Sequence, residues 1–133
     1  MSTLKERVEQ LRLLSAEAWV VRESAFTFGS TKVGCAILTR DGKSFFGCNI
    51  EHRFRCHDIH AEVSAVSAMI SSGSSSIAGV LVVAERAFFT PCGGCLDWIM
   101  QFADDDTVVA IQGEPGAALK AFTVRDLMPH YPH

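Results

Sequence analysis

The stretch from Val33 to Ile50 constrains the fold of this chain most. Val33-Gly34-Cys35-Ala36-Ile37-Leu38-Thr39 is an apolar, strand-like run, and Lys43 to Ile50 reads as its return strand. Between them, Asp41-Gly42 signals a two-residue hairpin turn, because both residue types tolerate a positive φ. After a connecting loop at 51–59, the pattern changes to alternating helices and strands. A helix is expected from His60 to Ser72, with Val63, Val66, Met69 and Ile70 on one face and Ser71-Ser72-Gly73 ending it. The serines at 74–76 make a loop, and Ile77 to Ala84 reads as a buried strand. A third helix is expected at about Cys92 to Phe102, with Pro91 at its start because proline suits the first helical turn. Asp104-Asp105-Asp106 reads as a solvated turn and Val108 to Gln112 as a fourth strand. A weaker fifth strand lies near Leu119–Phe122. Thr123 to Met128 reads as a short closing helix stopped by Pro129.

Ahead of the hairpin, Thr3 to about Ala25 reads as a helix. Leu4, Val8, Leu11 and Ala18 make one apolar stripe, with Thr3 as N-cap and Glu6 completing a capping box. Phe28-Gly29-Ser30-Thr31 breaks the helical pattern. A hairpin followed by β-α alternation implies an α/β chain with one mixed sheet covered by helices. No internal repeat or long linker divides the 133 residues, so one domain over 1–133 is expected.

Charge and composition narrow the partners. Twelve Lys and Arg against fifteen Asp and Glu give a net charge of −3. A protein that grips a phosphate backbone usually carries a basic excess or stripe, so long nucleic acids are disfavoured. The densest basic stretch, His52-Arg53-Phe54-Arg55-Cys56-His57, is short and equally suits the rim of a site. No apolar run approaches the roughly 20 residues of a membrane span. The N-terminus leads into a mixed-charge segment without an apolar signal core, and the five cysteines are an odd number. Both point to reduced thiols in the cytoplasm, some of them available to a metal.

Two clusters carry chemistry: His60-Ala61-Glu62 and Pro91-Cys92-Gly93-Gly94-Cys95, each at the expected start of a helix. Cys92 and Cys95, three apart in a first helical turn, can converge on one ion. The partial positive charge of a helix N-terminus favours their thiolates. One imidazole and two thiolates leave the fourth tetrahedral position of Zn²⁺ open, as a catalytic site needs. Zinc lowers the pKa of bound water to about 7. Glu62 lies beside such a water without being a ligand, and a carboxylate there can shuttle protons. Taken alone, Cys-x-x-Cys also fits a redox pair or half of a structural zinc site, with Cys56 or His57 as a further ligand.

The two clusters together match H-x-E…P-C-x-x-C, the signature of zinc nucleobase deaminases. The chain resembles the small single-domain cytidine deaminases well beyond that motif. Residues 33–42 are similar to the family's first hairpin, Gly47-Cys48-Asn49-Ile50-Glu51 to its G-x-N-I-E stretch, and Leu127-Met128-Pro129 to its closing L-L-P. The resemblance covers about residues 25–130. It implies a three-layer α/β/α sandwich around a mixed five-stranded sheet, and one zinc ion per chain held by His60, Cys92 and Cys95. It implies Glu62 as the proton shuttle, Asn49 and Glu51 at the ribose hydroxyls, and the backbone near Ala61 and Cys92 at the base and bound water. Phe28 stands for an aromatic of the substrate site. It also implies a homo-oligomer, a tetramer in the small members, with sites at subunit contacts.

The departures from the family pattern are informative. Many small members have cysteine as first ligand followed by Ala-Glu-Arg, where this chain reads His60-Ala61-Glu62-Val63. With a neutral imidazole, Zn²⁺ and two thiolates already sum to zero, so the arginine's compensation is not needed. Leu96-Asp97 replaces the frequent Arg-Gln after the second cysteine. The family's Pro-Tyr-Ser-x-Phe is represented by Thr27-Phe28-Gly29-Ser30-Thr31, and Thr31 cannot supply aromatic packing to a base. Phe54, Phe88, Phe89 or Tyr131 are the candidates to restore that wall. The leading expectation is a zinc hydrolase that converts the amine of an aminopyrimidine nucleoside, cytidine, deoxycytidine or a close analogue, to a carbonyl with release of ammonia. The alternatives are an aminopyrimidine nucleoside antibiotic or a nucleic-acid base as substrate, and a non-catalytic zinc-stabilised binding domain.

Overall fold

The computed structural model describes residues 2–132, and its elements follow the expected order. They are α1 (Leu4–Leu13), α2 (Ser15–Arg22), β1 (Gly34–Thr39), β2 (Ser44–Cys48), α3 (Ala61–Ser71), β3 (Ile77–Val83), α4 (Gly93–Gln101), β4 (Ala103–Gln112), β5 (Lys120–Thr123) and α5 (Val124–Leu127). A 3-10 turn, Arg55–His57, sits in the 51–59 loop. The five strands form one sheet in the order β2-β1-β3-β4-β5. Only β3 and β4 run parallel, joined through α4; the other three pairings are antiparallel. The sheet is therefore mixed, as the hairpin and the alternation imply.

Strand periodicity divides the core into two layers. Cys35, Ile37, Val80, Val82, Val109 and Ile111 face α3, α4 and α5, where Ala61, Ala65, Met69 and Ile99 meet them. Ala36, Leu38, Leu81, Val83, Val108 and Ala110 face α1 and α2, around Leu11 and Ala18. This is an α/β/α sandwich. One contact in it sets the height of α3 above the sheet. A Cβ on Gly47 of β2 would lie 2.8 Å from Ala61 O and Ser64 C, and closer still to Ala65 N. Backbone touches backbone there, so the helix that starts at His60 is seated directly on the strand that leads into Asn49 and Glu51.

The structure corrects five local expectations. The N-terminal helix is not continuous to Ala25. It breaks at Leu14, whose N–H donates to Leu11 O, while the Ser15 hydroxyl donates to Arg12 O at 2.7 Å and draws that carbonyl out of the helical ladder. Thr3 caps α1 as expected, its hydroxyl oxygen accepting from Glu6 N. The hairpin loop has three residues, Arg40-Asp41-Gly42, closed by Gly42 N–H on Thr39 O and Thr39 N–H on Lys43 O. Of these three residues only Gly42 takes a positive φ, 86°; a turn ending in a left-handed glycine is the three-residue solution for a twisted hairpin.

On α3 the buried face is Ala61, Glu62, Ala65, Val66 and Met69, whereas Ile70 is exposed and Val63 half-buried. Close seating on Gly47 selects the small alanines for the sheet side. Pro91 stands one residue before Cys92, which is the N-cap of α4, and not in the helix. The three aspartates lie in the first half of β4. The register slips between Ile77↔Ala103 and Gly79↔Val108, so this stretch bulges away from β3. Arg40 holds it through Asp104 at 2.8 Å and Asp106 at 2.9 Å, and Arg125 pairs with Asp105. Among the described residues no helix is long and apolar enough to cross a membrane.

Candidate metal centre and active site

Two helix N-termini meet on one side of the sheet. His60 is the N-cap of α3, with extended backbone at φ −77° and ψ 156°, and Cys92 is the N-cap of α4, at φ −70° and ψ 168°. Neither side chain caps its own helix, so both are free to turn toward the other. Cys95, in the first turn of α4, is buried beside them. His60 Nδ1 lies 3.3 Å from Cys95 Sγ and 3.4 Å from Cys92 Sγ. All three donor atoms fall within 4.8 Å of one another.

These residues fit zinc. Bond lengths of about 2.0–2.1 Å to nitrogen and 2.3 Å to sulfur place N and S about 3.6 Å apart across a tetrahedron, close to the separations seen. Burial, then the charges of Glu62 and Cys92, push the Cys95 thiol far above its ordinary range. A divalent cation between the donors offsets that penalty and lets both sulfurs ionise. Cys56 and His57 do not belong to the cluster. They sit exposed in the 3-10 turn, with His57 edge-on to the His52 ring. Three protein donors converge among the described residues, which leaves a tetrahedral ion one position short of closure.

Glu62 is 3% exposed and shares with His60 and Cys92 the wall of a cavity of about 120 Å³. Burial raises its carboxyl above the ordinary value, against the lowering pull of its own backbone N–H and of His60. The remaining lining is Val33, Asn49, Ala61, Phe89 and Thr90. Asn49 is buried, and both ends of its amide are held: Val33 N–H donates to Oδ1 at 2.8 Å, and Nδ2 donates to Thr31 O at 2.9 Å. Glu51, two residues beyond Asn49, is not in the cavity lining. Phe28 N–H and Gly29 N–H donate to Glu51 Oε1 at 2.7 and 3.0 Å, and Arg55 pairs with Oε2 at 3.3 Å. These two N–H groups, with Arg55, hold the carboxyl below its usual range.

Phe28 itself is exposed and packs edge-on against Phe26, outside the cavity. Of the four aromatics considered for the missing wall, Phe89 is the one that lines it; Phe54 and Phe88 are exposed, and Tyr131 donates its hydroxyl to Asp97. Val33 and Thr90 line the cavity too, and sequence alone assigns neither of them a site role. A signal for Thr90 exists in retrospect, because a residue before proline is forced toward extended backbone, and that aims the 89–90 segment along the cavity. Cys35, fully buried in the core, and Cys48, half-buried, pack as small apolar residues.

A buried carboxylate beside a His-Cys-Cys cluster, at paired helix N-termini above a mixed sheet, matches the residue types that a zinc-dependent hydrolytic site needs. Residues 8–111 match the family described as the cytidine and deoxycytidylate deaminase zinc-binding region, and the chain belongs to this family of zinc-binding hydrolases. It is 32% identical to a cytidine deaminase of Sporosarcina psychrophila over 118 residues, 87% of this chain and 86% of that one. A probable cytidine deaminase of Dictyostelium discoideum is 35% identical over 79 residues, a match that spans 58% of this chain and 54% of the relative. Among solved structures, the cytidine deaminase of Burkholderia pseudomallei superposes with a TM-score of 0.79 at 27% identity, covering 97% of this chain and 98% of that one. The Mycobacterium tuberculosis enzyme, at 24% identity and a TM-score of 0.76 over 90% and 94% of the two chains, shares the fold.

Proposed function

We propose that this chain hydrolyses the exocyclic amine of an aminopyrimidine nucleoside, cytidine, deoxycytidine or a close analogue, to the uridine-type carbonyl with release of ammonia. The observation that carries this reading is the buried Glu62 on the wall of a ring-sized cavity that also exposes His60 and Cys92. His60 through Nδ1, Cys92 and Cys95 would hold the zinc, whose Lewis acidity would make water nucleophilic at neutral pH.

The chain's own groups do the rest. Glu62, raised by burial, is suited both to accept a proton and to return it. It takes one proton from the attacking water and passes it to the ring nitrogen next to the amine-bearing carbon, then takes the water's other proton and delivers it to the departing amine. The oxygen of water thus becomes the product carbonyl, and the amine leaves as ammonia. The Ala61 backbone and Phe89 enclose the ring, and Asn49 and Glu51 meet the sugar at the mouth.

The cavity is far below the roughly 300 Å³ at which sites for drug-sized ligands begin. It suits a base, with the sugar held outside it. Next in sequence to the lining residues Asn49 and His60, exposed Ile50 and Ile59 are bridged to each other, and Ile50 also to exposed Phe26, against which Phe28 packs edge-on. An apolar patch of this kind marks a protein contact. It supports a homo-oligomer, a tetramer as in the small members of the family, in which a neighbouring copy covers the sugar. We take the whole chain to act as one domain. Its five free cysteines suit the reducing cytoplasm.

The test is ammonia release from cytidine and deoxycytidine by zinc-quantified protein, with Glu62→Gln as control. Turnover should fall by a factor of about 10²–10⁴ in the variant while bound zinc is unchanged. Equal turnover in Glu62→Gln overturns the assignment.

A further inference from the structure

A chain of contacts runs behind the cavity wall and ends on Phe89. The Arg86 backbone is anchored where β3 gives way to the loop: its N–H donates to Ala84 O at 2.7 Å, and its carbonyl lies 2.5 Å from where a Cβ on Gly113 would sit. From that anchor the guanidinium reaches two partners at once. Nη2 donates to Thr31 Oγ1 at 3.1 Å, and Cζ lies over the Phe89 ring, 5.5 Å from its centroid. Thr31 is itself fixed, because its carbonyl accepts from Asn49 Nδ2. Asn49 and Phe89 both line the cavity, whereas Arg86 and Thr31 do not.

Resting on the reading of this cavity as the base site, we propose that Arg86 is a positioning residue. It clamps Phe89 as the aromatic wall of the site and uses Thr31 as its counter-anchor. A planar guanidinium can hydrogen-bond at its edge and stack by its face at the same time, which a lysine ammonium cannot. Thr31 therefore has a use of its own: a phenylalanine at 31 offers no oxygen to accept from Nη2. The loss of the family's aromatic at 31 and the presence of an arginine over Phe89 are two halves of one arrangement. The wall is supplied from the loop before the Cys92 motif, and the former wall position becomes its support. The specificity this sets is for a flat ring pressed against Phe89, so the effect belongs to substrate binding more than to the chemical step.

The experiment is steady-state kinetics on cytidine with zinc content and thermal midpoint recorded for each variant. Arg86→Ala should raise KM about 3- to 10-fold with kcat within about twofold and zinc unchanged, the size of effect a lost cation–π clamp allows. Arg86→Lys should recover part of the loss. Thr31→Val, which deletes the acceptor hydroxyl alone, should move KM the same way by about twofold and serves if Arg86→Ala folds poorly. In a Phe89→Leu background Arg86→Ala should add less than about a twofold change, since its target is gone. An unchanged KM in Arg86→Ala, or the full effect persisting in Phe89→Leu, overturns the clamp and leaves the deaminase reading standing. A zinc-loaded wild type that turns over no aminopyrimidine nucleoside overturns both.

Discussion

Replacing Gly47 by alanine tests how the sheet positions the site. The added methyl would sit 2.8 Å from two backbone atoms of α3, Ala61 O and Ser64 C, and nearer still to Ala65 N. Ordinary contact begins at 3.4 Å, and helix backbone cannot rotate aside as a flexible side chain can. The helix must therefore move off β2 by roughly 0.6–1 Å. Overpacking of this kind costs about 1–3 kcal/mol, and a rigid backbone neighbour puts the cost at the upper end. The same displacement carries His60 and Glu62 away from Cys92 and Cys95, and a 1 Å misplacement can cost about 100-fold in rate. Gly47→Ala should thus lower the unfolding free energy in urea by about 2–3 kcal/mol. In the fraction that stays folded, zinc retention and kcat should fall together. A variant as stable as the wild type with full zinc and activity would refute the claim that backbone contact at Gly47 sets the height of α3.

Other perturbations read other parts of the molecule. Chelation of the metal should abolish ammonia release and lower the thermal midpoint, and both should return on adding zinc, because a ligand that binds only the folded state stabilises it. Arg40→Ala removes the partner of Asp104 and Asp106 and leaves the bulge of β4 with uncompensated charge. Because the pairs are largely exposed, the loss should be no more than about 1 kcal/mol and should shrink in high salt. The Glu51 carboxyl is held below its usual range by the N–H groups of Gly29 and Phe28, with Arg55 adding to the shift. Its contribution is therefore present above the unfolded value of about 4.3 and fades as pH falls through the lower folded value. The difference in thermal midpoint between wild type and Glu51→Gln should close over that acid window. A difference independent of pH would contradict the shift.

Much of the architecture was legible along the chain. The apolar hairpin, the β-α alternation and the cap at Thr3 depend on short-range chemistry; the capping box of Thr123 and Asp126 is equally local, but the sequence pattern puts Thr123 inside the closing helix and not at its cap. Where the reading failed, a distant partner decided. Asp104-Asp105-Asp106 has turn composition, yet Arg40 and Arg125 hold it in a bulged strand. The face of α3 was misjudged because the sheet beneath it presents a glycine, which rewards alanines and leaves Ile70 outside.

The chain by itself marked the candidate donor set and the candidate acid. His60, Glu62, Cys92 and Cys95 are readable because metal chemistry demands particular residue types at particular spacings, and helix starts impose those spacings locally. Convergence of the two clusters was an inference from pattern; the tertiary structure is what sets His60 Nδ1 within 3.4 Å of both sulfurs. The tertiary structure alone also decided which of four aromatics faces the cavity, and that Phe28 does not. No spacing rule connects Thr31, Arg86 and Phe89. Arg86 and Phe89 share one loop, but Thr31 reaches them because the start of β1 lies beside the end of β3 in the sheet, a contact between residues 55 apart in sequence that the strand pairing sets.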